Sequence, residues 1–261
     1  MQRIDVAKAL PLFVLLSYQS YNGMMGTFFA RSLGSEHPIW SANSKTTTKT
    51  TTHHHKEEPQ QIIGTIPSCF ISIAIAFTVV TLRMFVAHNM KWGEFKIDED
   101  IGDVGTIHEY LMLVPEFFCI VAEELVVRCY LLPLMMMHYT TGQAIALSGC
   151  IWSLYTVPMA LLLGKGDFES TWSGHRLFLS AILTSYPCSW VAIKAGYVCW
   201  GPSLLHFVSK TIGAFALGSM ETKEVGIVRG EPWKTNGLSS IIAGVPFALF
   251  TTFELNTLSH I

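Results

Sequence analysis

Residues 107–137 read IHEYLMLVPEFFCIVAEELVVRCYLLPLMMM. The run is long enough to cross a bilayer, which takes about 20 mostly apolar residues. Yet it carries Glu109, Glu116, Glu123, Glu124 and Arg128. A charge inside a membrane costs roughly 2.5–3.5 kcal/mol on insertion scales, so a helix that holds these groups has a use for them. Glu109, Glu116 and Glu123 recur at intervals of seven and share one helical face. Glu124 and Arg128 stand at i,i+4 and can pair across one turn. Glu123 lies about 100° round the helix from Glu124. Arg128 can therefore hold one carboxylate while its neighbour points elsewhere. A carboxylate left alone in an apolar cavity binds protons more strongly and can serve as a general base near neutral pH. The plainer reading of Glu123, Glu124 and Arg128 is a helix–helix salt bridge. The plainer readings of Glu109 and Glu116 are an interfacial carboxylate and a cavity-lining one.

Around this run the chain alternates long apolar stretches with short polar ones. Ile62–Leu82 and Gln143–Leu163 hold no charge, and Leu177–Ile193 holds none but is interrupted by Pro187. Leu238–Leu258 carries only Glu254, and Gly196–Leu217 carries His206 and Lys210. His206 and Lys210 share a face at i,i+4, and an intramembrane lysine calls for a carboxylate, so the acid helix and this one are natural partners. The N-terminal residues 1–31 form a further candidate, a membrane or signal-anchor segment. Residues 32–61, rich in threonine with His53, His54 and His55, read as a disordered linker. Residues 62–104 read as one membrane helix with an acidic loop, and residues 105–258 as the membrane domain. The expected fold is all-α, a polytopic integral membrane protein of six or seven transmembrane helices around a glutamate-containing core bundle.

Composition agrees with a chain dissolved in lipid. Half of the 261 residues (50%) are hydrophobic, 14% are charged, and mean hydropathy is +0.40. A soluble domain is about 25% charged. Nineteen acids against 17 bases leave a net charge of −2, with no basic excess to bind nucleic acid. The six cysteines all lie in apolar stretches without a C-x-x-C pair and read as buried filler.

Several catalytic patterns fail. His108-Glu109 opens an H-E-x-x-H motif, but position 112 is methionine, so the zinc pair is absent. There is no G-x-S-x-G, and Asp100-Ile101-Gly102-Asp103 lacks the first glycine of a G-x-G-D aspartyl motif. No metal and no cofactor is expected.

Val121-Ala122-Glu123-Glu124-Leu125-Val126-Val127-Arg128 resembles the E-E-x-x-x-R motif of the CPBP family, the type II CAAX prenyl endopeptidases and bacteriocin-processing membrane proteins. Ser148-Gly149-Cys150-Ile151-Trp152-Ser153-Leu154-Tyr155-Thr156-Val157-Pro158 is similar to its S-G-x-x-W-x-x-x-H-x-P segment. Trp200 to Lys210 is similar to its W-x-x-x-x-x-H-x-x-x-N segment. The resemblance spans about residues 105–258. It implies a glutamate-dependent intramembrane endopeptidase acting on prenylated C-terminal tails or other membrane-associated proteins. The endoplasmic reticulum or plasma membrane is its implied site, with membrane lipids as surroundings.

On that resemblance Glu123 is the general base, Glu124 held by Arg128 is the supporting carboxylate, and His206 is an oxyanion or water-orienting group. Glu116 lines the cavity. Two positions depart: Thr156 stands for the histidine of the second motif and Lys210 for the asparagine of the third. Threonine cannot carry a proton as imidazole does. A full positive charge beside Glu123 weakens that carboxylate as a base, and losing one oxyanion donor costs about 10²–10³ in rate. Against this, the Lys210 ammonium is itself a possible oxyanion donor, provided Glu123 does not hold it. His138 and His175 could replace the missing histidine only from near helix ends. The alternatives are an inactive pseudoprotease that binds membrane partners, and a small carrier using the Glu109, Glu116 and Glu123 stripe.

Overall fold

The computed structural model describes residues 63–96, 107–163, 171–218, 226–231 and 233–258; the expected N-terminal segment and linker lie outside them. The described chain is mostly helical. Its elements are α1 (Thr65–Asn89), β1 (Gly93–Phe95), α2 (Ile107–Glu124), a π-helical segment (Leu125–Leu131), α3 (Leu132–Met136), α4 (Thr141–Leu163), α5 (Thr171–Lys194), α6 (Trp200–Leu217), β2 (Val228–Gly230), a second π-helical segment (Trp233–Leu238) and α7 (Ser239–Leu258). Among the described residues, the apolar stretches read from the sequence fall in helices. Pro187 does not end α5, and Pro115 and Pro246 also sit inside helices, as membrane helices tolerate.

Among the described residues, a small antiparallel ribbon, β1 on β2, adds strands to the helical expectation, with Gly93 opposite Gly230 and Phe95 opposite Val228. It forms because α1 stops abruptly. Lys91 takes a left-handed φ of 56°, and the amides of Lys91 and Trp92 turn back to the carbonyls of His88 and Ala87. That double bond is a Schellman closure. The same closure ends α5 at Gly196 and Tyr197, which aims α6 back along the bundle.

α1 carries polar and small residues inward and large apolar ones outward. Ser68, Ser72, Ala76, Val80, Arg83 and Ala87 are buried, while Ile66, Phe70, Phe77 and Phe85 are exposed. A helix packed in a water-soluble protein shows the reverse pattern. Among the described residues, two helical stretches, Thr65–Asn89 and Lys234–Leu255, are long and apolar enough to cross a membrane.

Close helix approaches rest on missing side chains. α1 packs chiefly on α6, and α4 on α5. At Gly201 of α6 a β-carbon would sit 2.7 Å from Val191 and 3.0 Å from the Ser68 hydroxyl. At Gly149 of α4 it would sit 2.9 Å from both side-chain atoms of Ser185. Packing of this small-residue kind holds helices together where lipid removes the hydrophobic drive. Hydroxyls add cross-links, such as Ser153 donating to the Phe178 carbonyl (3.3 Å).

Gly149→Ala is expected to destabilise the protein by about 1–3 kcal/mol through overpacking against Ser185. Ser185→Gly placed in the same chain should recover most of that loss. Thermal unfolding in detergent micelles measures both, and equal melting of the single and double variants would contradict the contact.

Candidate functional site

The functional side chains come from α2, the π segment that continues it, α4 and α6. α2 ends at Glu124, and the next seven residues wind as a π-helix that contains Arg128. π turns are wider than α turns and concentrate at functional sites. Here the wider turn sets the geometry of the i,i+4 pair: Arg128 Nε lies 3.6 Å from Glu124 Oε2. That is an ion pair without a hydrogen bond.

Glu124 and Arg128 are fully enclosed, at 1% and 0% exposure. The other carboxylate oxygen, Oε1, meets His206 Nδ1 at 2.9 Å. Glu124 thus bridges a cation on its own helix run and an imidazole on α6. Trp152 of α4 closes the group from the third side. The Arg128 guanidinium lies over its ring, 5.5 Å from the centroid, and His206 meets it edge-on with centroids 5.2 Å apart at 88°. One indole therefore packs against both partners of Glu124, adding a cation–π attraction in a dry setting. The sequence placed Trp152 in a motif but gave it no role; its spacing of four from Thr156 was the available signal.

Glu123 is half-buried beside this group and makes no hydrogen bond or ion pair among the described residues. The expected split between two adjacent carboxylates, one clamped and one not, is what the chain adopts. Lys210 differs from expectation. Its ammonium lies 2.8 Å from Glu116, not on Glu123. The reason is register: α2 and α6 touch at Glu116–Lys210, at the edge-to-face rings of Phe117 and Phe207 (5.3 Å, 77°), and at Glu124–His206. Lys210 is placed with the carboxylate two turns before Glu123.

Thr156 is half-buried and its hydroxyl donates to the Trp152 carbonyl at 2.7 Å, one turn back on α4. His138 is exposed in the turn after α3, and the side chains of Glu109 and His175 lie outside the described ones. Among the described residues no group of three His, Cys, Asp or Glu side chains is placed to hold a metal ion.

The clamp, the tryptophan wall and His206 all fall within residues 108–212, which match a family model described as type II CAAX prenyl endopeptidase Rce1-like. This segment is of the CPBP family. The match covers less than half the chain, and it includes every residue of the E-E-x-x-x-R, tryptophan and histidine blocks. No curated protein and no solved structure matches the chain. The CPBP family is one of membrane proteins, which agrees with the two apolar helices long enough to cross a bilayer.

Within the CPBP segment, Glu124→Ala should destabilise the fold by about 3–5 kcal/mol, because it leaves the buried Arg128 charge without its partner. Glu123→Ala should cost less than about 1 kcal/mol, since that carboxylate has no partner among the described residues to lose. Chemical unfolding of the two variants in parallel tests the contrast, and equal losses would refute it.

Proposed function

We propose that the chain is a CPBP-type intramembrane glutamate endopeptidase, built on six or seven membrane helices and acting on prenylated C-terminal tails or other membrane-anchored proteins. The observation that carries this reading is the asymmetry of two neighbouring carboxylates: Glu124 is buried and held by Arg128 and His206, while Glu123 is half-buried with no such hold. Paired acids in unlike surroundings are how one site separates a structural carboxylate from a reactive one.

In this mechanism Glu123 accepts a proton from water, and the hydroxide adds to the scissile carbonyl. The tetrahedral adduct then collapses with cleavage of the C–N bond, and Glu123 returns its proton to the departing amine. Glu124 accepts the Nδ1 proton of His206, which leaves a lone pair on Nε2 of the neutral ring. In this mechanism that lone pair accepts from a water, the water-orienting role of His206. Arg128 and Trp152 fix Glu124 and hence the imidazole, as a second layer of contacts must for precise placement.

A second reading, the pseudoprotease, is favoured by Thr156 and Lys210. The Thr156 hydroxyl is turned to a backbone carbonyl, and Lys210 is paired with Glu116. If both positions are disabled, the cavity binds membrane partners without cleaving them.

Cleavage of a fluorogenic farnesylated CAAX peptide in proteoliposomes decides between them. The protease reading expects turnover that falls at least about 10²-fold in Glu123→Gln with little change in melting temperature. Turnover that survives this substitution would refute the mechanism. The pseudoprotease reading expects silence from the native chain and activity gained by Thr156→His with Lys210→Asn.

A further inference from the structure

Arg83 is a second buried cation, on α1 where it packs against α6. It is 92% buried, since 8% of its surface is exposed. Its Nη2 donates to the backbone and side-chain oxygens of Asn236 in the second π segment. Those are neutral acceptors. Among the described residues no carboxylate pairs with Arg83, and its Nε has no hydrogen-bond partner. Buried charges are otherwise paired or liganded, because an uncompensated one costs several kcal/mol.

Arg83 lines a cavity of about 40 Å³ between α1, α5, α6 and α7. Leu205 and Phe247 give it apolar walls, and Thr184, Ser209 and Ser240 bring hydroxyls to it. The Thr184 hydroxyl donates to the Ser180 carbonyl, and Ser240 is engaged with the Gly237 carbonyl and the Ser180 hydroxyl. Ser209 has no hydrogen bond among the described residues and keeps its proton to donate. The unpartnered Arg83 Nε–H and the Ser209 O–H supply two donors to a small, mostly apolar chamber. Its volume suits one ion of halide size.

We propose that this cavity binds a single small monovalent anion, of the chloride class, as the counter-ion of Arg83. The anion takes the Arg83 Nε–H and the Ser209 O–H, and it joins α1 to α6 by charge. Because Leu205 and Ser209 lie on one face of α6 and His206 and Lys210 on the next, the anion would brace the helix that carries the candidate catalytic imidazole, without touching that site.

The test is thermal unfolding of the purified full chain in detergent at constant ionic strength, with chloride or bromide titrated against gluconate, a monovalent anion too large to enter. Native protein should show a saturable rise in melting temperature with either halide, and Ser209→Ala should weaken the apparent halide affinity about tenfold. Arg83→Gln should abolish the halide response. If Arg83→Gln does not fold, Ser209→Ala decides alone. Identical melting of the native chain in halide and gluconate, or unchanged halide affinity in Ser209→Ala, would overturn the proposal.

Discussion

A single enclosed carboxylate, that of Glu124, holds the site together. It is the meeting point of α2, the π segment and α6, and through Trp152 of α4. An ion pair this deep is weak as a source of stability, because desolvation offsets most of the Coulomb gain. What it supplies is specificity of arrangement. Shifting α6 by one residue would move His206 away from Glu124 and leave three polar groups buried without partners. The Phe117–Phe207 ring pair and the Glu116–Lys210 ion pair fix the same register at two further points.

The π segment has a part in this. An uninterrupted α-helix through Arg128 would repeat every 3.6 residues and stack Arg128 nearly over Glu124. In the π segment Arg128 comes round to Glu124 from just short of a full turn, and its guanidinium also lies over the Trp152 ring. Arg128 then serves two neighbours at moderate distance in place of one at close range. The cation is shared between the carboxylate and the indole.

Much of this was legible in the sequence. Unbroken apolar runs marked the helices, and the ends of α4 and α7 lie within two residues of those read from hydropathy alone. The 100° offset of Glu123 from Glu124 foretold that one would be held and the other not. Contacts between distant residues were not legible. His206 lies 82 residues from Glu124, and nothing local says which acid it meets. An intramembrane lysine calls for a carboxylate, and helix register makes it Glu116 for Lys210. The π winding was hidden because the apolar pattern does not distinguish it from α. The β1–β2 ribbon was hidden because each strand has only three residues.

The inverted face of α1 bears on how the protein is made. Arg83 finds its oxygen partners on Asn236, 153 residues later in the chain. At a synthesis rate of about 5–20 residues per second, roughly 8–30 s separate the emergence of the two. During that interval Ser68, Ser72 and Arg83 lie on a face of α1 that has no companion yet. Its docking waits for α6 and α7, so the described bundle closes around α1 only after those later helices have been made. That polar face stays uncovered until the residues that bury it have been made.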